Sequence, residues 1–317
     1  MATPDEAIAA LEKKIHDHYA AAVEELNEVI RDYFDKLAVR EKEQRALLEA
    51  GKITEEQFKQ WRLTQYGRGE RFIQLRDNLA ERMYQANVVA AAYINNDMAT
   101  LYAMGHAYTI EWVQEELGDL LDGVDFTLLN EEAIRDLIMN DPDLMPYYPE
   151  ARAIDRNIDL EYGRQQITAS VTSSIIQGKS IEQIAANLAE RLQNMGEVSA
   201  RRAARTACGA AVEAGKQAAR DELSSKGVMM GKMWDAAWDM RTRPDHAKAD
   251  GQVVENDKPF KVGGEELMFP KDKSLGASPK NIYNCRCTAT DVILGFESIL
   301  TPEQRAKANI GVTRKHG

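Results

Sequence analysis

The stretch NIYNCRCTATDVIL, residues 281–294, decides how the C-terminal third of the chain is read. Its second half, rich in Thr, Val and Ile, is a strand signal. Its first half sets Cys285 and Cys287 one residue apart around Arg286. Such neighbours are too close for an ordinary disulfide, whose Cβ atoms face each other at about 3.8 Å. If 281–290 is extended, residues i and i+2 share a face, so both thiols look the same way. That arrangement points to a shared third party: a metal ion, a tight core contact or a partner surface.

Working outward, GKMWDAAWD (231–239) alternates Trp234, Ala236 and Trp238, which predicts a strand with those three on one face. PFKVGGEELMFP (259–270) reads as a β-hairpin with a primed turn at Gly263-Gly264. Between them lies the one dense polar cluster, Asp239, Arg241, Arg243, Asp245, His246, Asp250 and Gly251. His246 is the only histidine between the N-terminal helices and the extreme tail. With Cys285 and Cys287 it makes three candidate ligands, Asp250 is a candidate fourth, and Zn²⁺ accepts such N/S/O sets tetrahedrally. Two other readings stay open. The thiols are simply buried while His246 bonds a carbonyl or Asp245, or Cys285, His246 and Asp250 serve a hydrolase as nucleophile, base and orienter.

The rest of the chain is helical. Thr3-Pro4-Asp5-Glu6 is a helix start, and Ile8, Leu11, Ile15, Tyr19, Val23, Leu26, Ile30, Phe34 and Leu37 then draw one apolar stripe along some 40 residues. Gly51 ends that helix, and Thr54 with Gln57 opens the next as a capping box. A third helical stretch runs from about Glu70 to Leu117, with a break expected near Asn95-Asn96. Three X-Pro steps, at Pro142, Pro146 and Pro149, mark a linker. Helix resumes over Glu161–Gln177. A Ser180–Gln183 capping box then starts IEQIAANLAERLQ, and an alanine-rich helix follows from Ser199. In that last helix Cys208 reads as a small buried hydrophobe. Arg201, Arg202 and Arg205 read as a solvated face, with phosphate contact the lesser alternative. The fold expected is α+β: a predominantly helical N-terminal part, more helices, and a small antiparallel β-containing C-terminal module.

The net charge of −11 conceals an asymmetry. Residues 1–200 carry 20 basic against 36 acidic residues (−16), and residues 201–317 carry 20 against 15 (+5). The second part is compatible with non-specific contact to double-stranded DNA, though far from a dedicated nucleic-acid stripe. No run approaches the roughly 20 apolar residues of a membrane span, so no membrane partner is expected. Three cysteines without an even framework fit a reducing compartment such as a cytoplasm. No G-x-x-x-x-G-K or G-x-G-x-x-G loop is present, which excludes the ATP-driven and dinucleotide classes.

MRTRPDHAKADGQ, DKPFKVGGEELMFPKD and SPKNIYNCRC together resemble the C-terminal module of the phage head morphogenesis family, the Mu F-type minor head proteins. The shared pattern is carried here by Arg241, Thr242, His246, Asp250 and Gly251, by Pro259 and Phe260, and by Asn284, Cys285, Arg286 and Cys287. One small departure is Lys271, standing between Pro270 and Asp272. The resemblance implies residues 1–120 as a helical, portal-binding region and 121–150 as a linker. A head morphogenesis domain follows over 151–296, helical through 155–226 and β-rich through 228–295. A short C-terminal helix and tail occupy 297–317. It further implies a low-copy minor capsid protein of the virion. Such a protein is internal to the head at the portal vertex, is assembled in the host cytoplasm, and has the portal and other head proteins as partners in procapsid assembly and DNA packaging or delivery. No enzymatic activity and no catalytic or cofactor-binding residue is implied, and one structural zinc would suit so small a β-unit. The competing expectation is a metal-dependent hydrolase or nuclease acting on nucleic acid.

Overall fold

The computed structural model describes residues 3–121, 124–126, 129, 134 and 158–296. The C-terminal helix expected over 297–317 and most of the linker expected over 121–150 lie outside the described residues. Helices α1 (Pro4–Glu49), α2 (Glu55–Gly67), α3 (Glu70–Leu117), α4 (Ile158–Ile176) and α5 (Ile181–Ser225) precede a small β-region. The latter comprises β1 (Val228–Asp235), α6 (Pro244–Ala249), β2 (Val253–Glu255), β3 (Phe260–Val262), β4 (Glu265–Leu267), α7 (Pro279–Ile282) and β5 (Thr288–Phe296). The chain is therefore α+β with antiparallel strands, as the sequence pattern implies. No helix among the described residues is long and apolar enough to cross a membrane.

The chain divides into two compact units. One gathers Lys13–Tyr93 with Pro149–Arg201, the other Met1–Glu12, Ile94–Tyr148 and Arg202–Gly317. The long helices α1, α3 and α5 each contribute to both.

In the first unit the stripe on α1 is buried, from Ile15 and Tyr19 through Phe34 and Leu37. Thr54 Oγ1 accepts from the Gln57 amide at 3.1 Å and Gln57 Oε1 accepts from the Thr54 amide at 2.8 Å, the reciprocal box that starts α2. Ser180 and Gln183 repeat it at the head of α5. Buried Arg62 donates to Glu41 at 3.2 Å and to the Lys179 carbonyl at 2.6 Å, tying α2 to α1 and to the turn before α5. The break expected between the capped helix and the alanine-rich one is absent, and α5 runs unbroken through Gly196. A Cβ there would lie 2.5 Å from Asn87 Oδ1 and 2.6 Å from the Tyr19 ring. Gly196 thus admits neighbouring helices, at about 1 kcal/mol of helix propensity, without ending its own. Helix α3 likewise continues through Asn95-Asn96. Both asparagines are exposed and cost only propensity, while buried Ile94, Met98 and Ala99 keep the register.

The second unit carries the β-region. Strand β1 is central, pairing antiparallel with β2 and with β5 over Val228–Asp235 against Phe296–Thr288. The β3–β4 hairpin turns at Gly263 and Gly264 with φ of +58° and +83°, the left-handed pair a primed turn needs. The alanine-rich face of α5 meets α3 almost backbone to backbone. A Cβ on Gly105 would sit 2.2 Å from the Val212 carbonyl oxygen, and one on Gly215 2.0 Å from that of Tyr102. Ile110, Val113 and Leu117 of α3 join Ala219 and Leu223 of α5 and Val228, Met230 and Ile293 of the sheet in one apolar cluster.

The free edge of β5 is held by buried charge from α5. Glu213 accepts from the Ala289 amide at 2.9 Å, and Arg220 donates to the Ala289 carbonyl at 3.1 Å. Arg220 also pairs with Asp291 at 2.6 Å, and Thr109 of α3 donates to the other Asp291 oxygen at 3.0 Å. These side chains do the work of a neighbouring strand.

Two local expectations are corrected. Strand β1 ends at Asp235, so Trp234 and Ala236 are buried but Trp238 stands outside, at φ +44°. The Cys285–Cys287 segment is not a strand either. Pro279–Ile282 forms a helical turn, Asn284 takes φ +55°, and β5 begins only at Thr288. Both sulfurs still face inward, because the loop's i, i+2 alternation leaves Arg286 outside.

Candidate metal centre

His246 sits on α6, whose first turn is set by Pro244. The helix packs its ring edge-on to Trp234, with centroids 5.4 Å apart. Trp234, Ala236, Ala249, Phe260, Val262, Leu267, Cys285, Cys287 and Ala289 form the core around it. The Cys285 and Cys287 sulfurs each lie 3.5 Å from His246 Nδ1. All three donor atoms fall within 4.8 Å of one another, and all three residues are buried. The structure therefore brings together the imidazole and both thiols that the sequence singled out.

The tautomer follows from the neighbours. Asn281 Nδ2 donates to the Val262 carbonyl at 3.2 Å and to Glu265 at 2.7 Å, which turns its oxygen toward His246. Asn281 Oδ1 then accepts from His246 Nε2 at 3.3 Å. The proton is thereby placed on Nε2, and the Nδ1 lone pair is left facing the sulfurs. Zn–S bonds of about 2.3 Å and a Zn–N bond of about 2.0 Å at tetrahedral angles separate N from S by roughly 3.5 Å. The three donors fit that geometry and are the soft-to-borderline set a thiophilic ion selects.

Lys271, which appeared in the sequence only as a departure from the pattern, adds a buried positive charge. It takes φ +76° and donates to the Cys287 carbonyl at 2.7 Å. A Cβ on Gly209 of α5 would lie 2.7 Å from its side chain, so that glycine clears its path. A hydrogen bond from Cys287 holds the Cys285 thiol well below its usual range, assisted by His246 and the Lys271 charge. The Cys287 thiol is pushed up by the same bond and by burial. One shared proton between two sulfurs is the arrangement a metal ion would replace. Cys285 also lines a cavity of about 600 Å³ bounded by Ile8, Trp112, Arg205 and Lys271.

Asp250 is not one of the three clustered donors. Its Oδ1 accepts from the Ala236 amide at 2.9 Å, and the Gly251 amide donates to the Trp234 carbonyl at 2.8 Å, so this pair closes α6 back onto β1. Phe260 packs against Trp234 with centroids 5.4 Å apart, beside the partly buried Pro259. Thr242 donates its hydroxyl to Asp239, and Arg286 pairs with Asp239 at 2.6 Å, while Arg241 is exposed. Asn284 receives Arg205 on its side chain and donates its amide to Thr206, both at 2.8 Å. Arg205 also grips both oxygens of Glu12, so the solvated arginine face expected on α5 is, at this residue, an anchor for the loop. Sequence reading did not single out Asn281, and it gave Lys271 and Arg205 other roles. Only the burial of Lys271 and the contacts across 79 residues from Arg205 to Asn284 reveal them.

Residues 165–290 match the family described as Phage Mu protein F like protein. The chain is 32% identical over 149 residues to the minor head protein GP7 of Bacillus phage SPP1, covering 47% of this chain and 46% of that one. It is 29% identical over 143 residues to a protein of Enterococcus faecalis (strain ATCC 700802 / V583) named NAD(+)--arginine ADP-ribosyltransferase EFV, covering 45% of this chain and 28% of that one. The chain thus spans less than half the length of these relatives. No solved structure matches it. Residues 165–290, the module built around the His246–Cys285–Cys287 centre, are thus similar to the Mu F-like phage proteins, and about half of the chain is similar to a phage minor head protein.

Proposed function

We propose that this chain is a minor capsid protein that acts in phage head morphogenesis, joining the procapsid at the portal vertex. The observation that carries this reading is the match of residues 165–290 to the Mu F-like family together with the GP7 relative. Within the proposal, residues 1–120 are the portal-binding region, 151–296 the morphogenesis domain, and packaged DNA a non-specific neighbour of the basic C-terminal part. The His246–Cys285–Cys287 centre holds one zinc ion whose role is to tie α6 and the 283–287 loop into a single core. We read the module as non-enzymatic. His246 and the two cysteines are 1–3% exposed, which suits an ion held for stability better than a nucleophile and base.

The test is co-expression of the full chain with portal and major capsid subunits, followed by isolation of assembled particles. The chain is expected to co-sediment with particles that contain portal and to be depleted from portal-free shells. Equal recovery from both, or recovery from neither, would overturn the portal assignment.

A further inference from the structure

The β3–β4 hairpin supplies none of the three donors, yet one of its side chains reaches both halves of the metal centre. Glu265 opens β4 opposite Val262, across the Gly263-Gly264 turn. Its Oε2 accepts from Asn281 Nδ2 at 2.7 Å and from the Ser278 amide at 3.0 Å. Asn281 is the buried partner of the His246 ring, and Ser278 begins the turn that delivers the cysteines. From Ser278 the chain passes through α7, and the Cys285 amide donates back to the Ile282 carbonyl at 3.3 Å. The hairpin also touches the histidine helix, since a Cβ on Gly263 would lie 2.8 Å from Asp245 Oδ2.

A primary amide can be turned end for end, and its two orientations treat an imidazole oppositely. With its oxygen toward Nε2, Asn281 accepts the ring proton there and leaves Nδ1 a lone pair for a metal. With its nitrogen toward Nε2, it would require the lone pair on Nε2 and move the proton to Nδ1, facing the sulfurs. The far end of the amide decides between the two. Its acceptors there are the Val262 carbonyl and the Glu265 carboxylate, and the charged one binds the amide hydrogens more strongly. Asn281 is 2% exposed, so the reversed orientation would press its oxygen against a carboxylate with no water to relieve it. The charge also polarises the amide, and an imidazole that donates to a polarised acceptor is the stronger base toward a metal.

We infer that Glu265 is the positioning residue that sets the affinity of the centre, fixing the His246 proton through Asn281 and the entry of the cysteine turn through Ser278. This rests on the zinc reading above. The place of Glu265 suits the role. Its side chain is 25% exposed, with Lys280 Nζ 4.0 Å away, so the charge avoids the cost of full burial while the amide it grips lies inside.

The experiment uses the full chain without a histidine tag, stripped of metal, as wild type, Glu265→Gln and Glu265→Ala. Zinc affinity is read by competition with a chromophoric chelator. The His246 tautomer is read from the ring ¹⁵N shifts of the zinc-free protein at a pH where the ring is neutral, with His246→Ala identifying the signal. Glu265→Ala is expected to weaken zinc binding roughly 10–100-fold and to turn the Nε2-protonated ring into a mixture of tautomers. Glu265→Gln keeps an oxygen for Ser278 and Asn281 but loses the charge, so it should keep the Nε2 proton and weaken binding by less, about threefold to tenfold. Zinc affinity in Glu265→Ala within about twofold of wild type would overturn the inference. So would weakened binding with an unchanged tautomer, which would make Glu265 a contact of the fold only. Should Glu265→Ala not fold, Glu265→Gln decides, and unchanged zinc affinity there overturns the inference. A wild type that binds no zinc refutes the zinc reading instead, and the tautomer comparison then decides the orienting role alone.

Discussion

Replacing His246 by alanine separates a metal-built core from a merely packed one. The ring is 1% exposed and packs against Trp234, so its loss opens a cavity costing about 2–4 kcal/mol. Asn281 Oδ1 loses its partner in a buried position, adding about 1 kcal/mol or more. Those costs arise with or without an ion. The discriminating quantity is the response to a chelator. If zinc is held at 100 times its dissociation constant, it stabilises wild type by about 2.7 kcal/mol. For a chain of this length that is on the order of 4 °C in melting temperature. Wild type purified without a histidine tag should therefore carry close to one zinc per chain by elemental analysis. It should lose roughly that many degrees on dialysis against EDTA and regain them on adding zinc. His246→Ala and Cys287→Ser should melt lower than wild type and show no further shift with EDTA. Folded wild type with less than about a tenth of an equivalent of metal, or an equal EDTA shift in wild type and His246→Ala, would refute the reasoning.

Other outcomes follow from the same geometry. Asp291→Ala leaves Arg220 buried without its carboxylate and should cost about 3–5 kcal/mol in chemical denaturation; Arg220→Met with Asp291→Leu should recover most of it. Gly215→Ala drives a methyl toward the Tyr102 carbonyl and should destabilise by more than 2 kcal/mol, although alanine is the better helix former. Burial pushes the Lys232 ammonium down to about 7, with the Arg220 charge assisting. The unfolded lysine keeps its proton to about pH 10, so folding strength should rise between pH 7 and 10, by at most about 1.4 kcal/mol per unit, and Lys232→Met should flatten that slope. Thr54→Ala removes the α2 cap and should cost about 1 kcal/mol by thermal melting.

The sequence spoke most clearly where the chemistry is local. Capping boxes at Thr54 and Ser180, the Gly263-Gly264 turn and the apolar stripe of α1 each depend on residues a few positions apart, and each is present as read. The paired thiols and His246 were legible because few other residues of their kind compete for the role. What escaped was set by distance. Gly196 resembles a helix end until Tyr19 and Asn87 are seen pressed against it. Trp238 fits an alternating strand pattern, yet Asp250, 14 residues beyond Ala236, holds that amide where the strand has already ended. Asp250 has the right chemistry for a ligand, and only the fold shows its oxygen already engaged. Lys271 looked like an insertion in a motif, and its importance lies in a carbonyl 16 residues downstream.

Strand β5 brings a consequence for synthesis. Glu213, Lys216 and Arg220 sit on the alanine-rich helix, but their partners Ala289 and Asp291 emerge from the ribosome some seventy residues later. Until then Arg220 lacks the carboxylate it pairs with and Glu213 the amide it accepts from, so closing the second unit over them would bury charge without those partners. Closure of the second unit is therefore expected to wait for β5. A ribosome stalled before residue 288 should hold a protease-sensitive intermediate, and one stalled past residue 296, with the strand free of the exit tunnel, a resistant one.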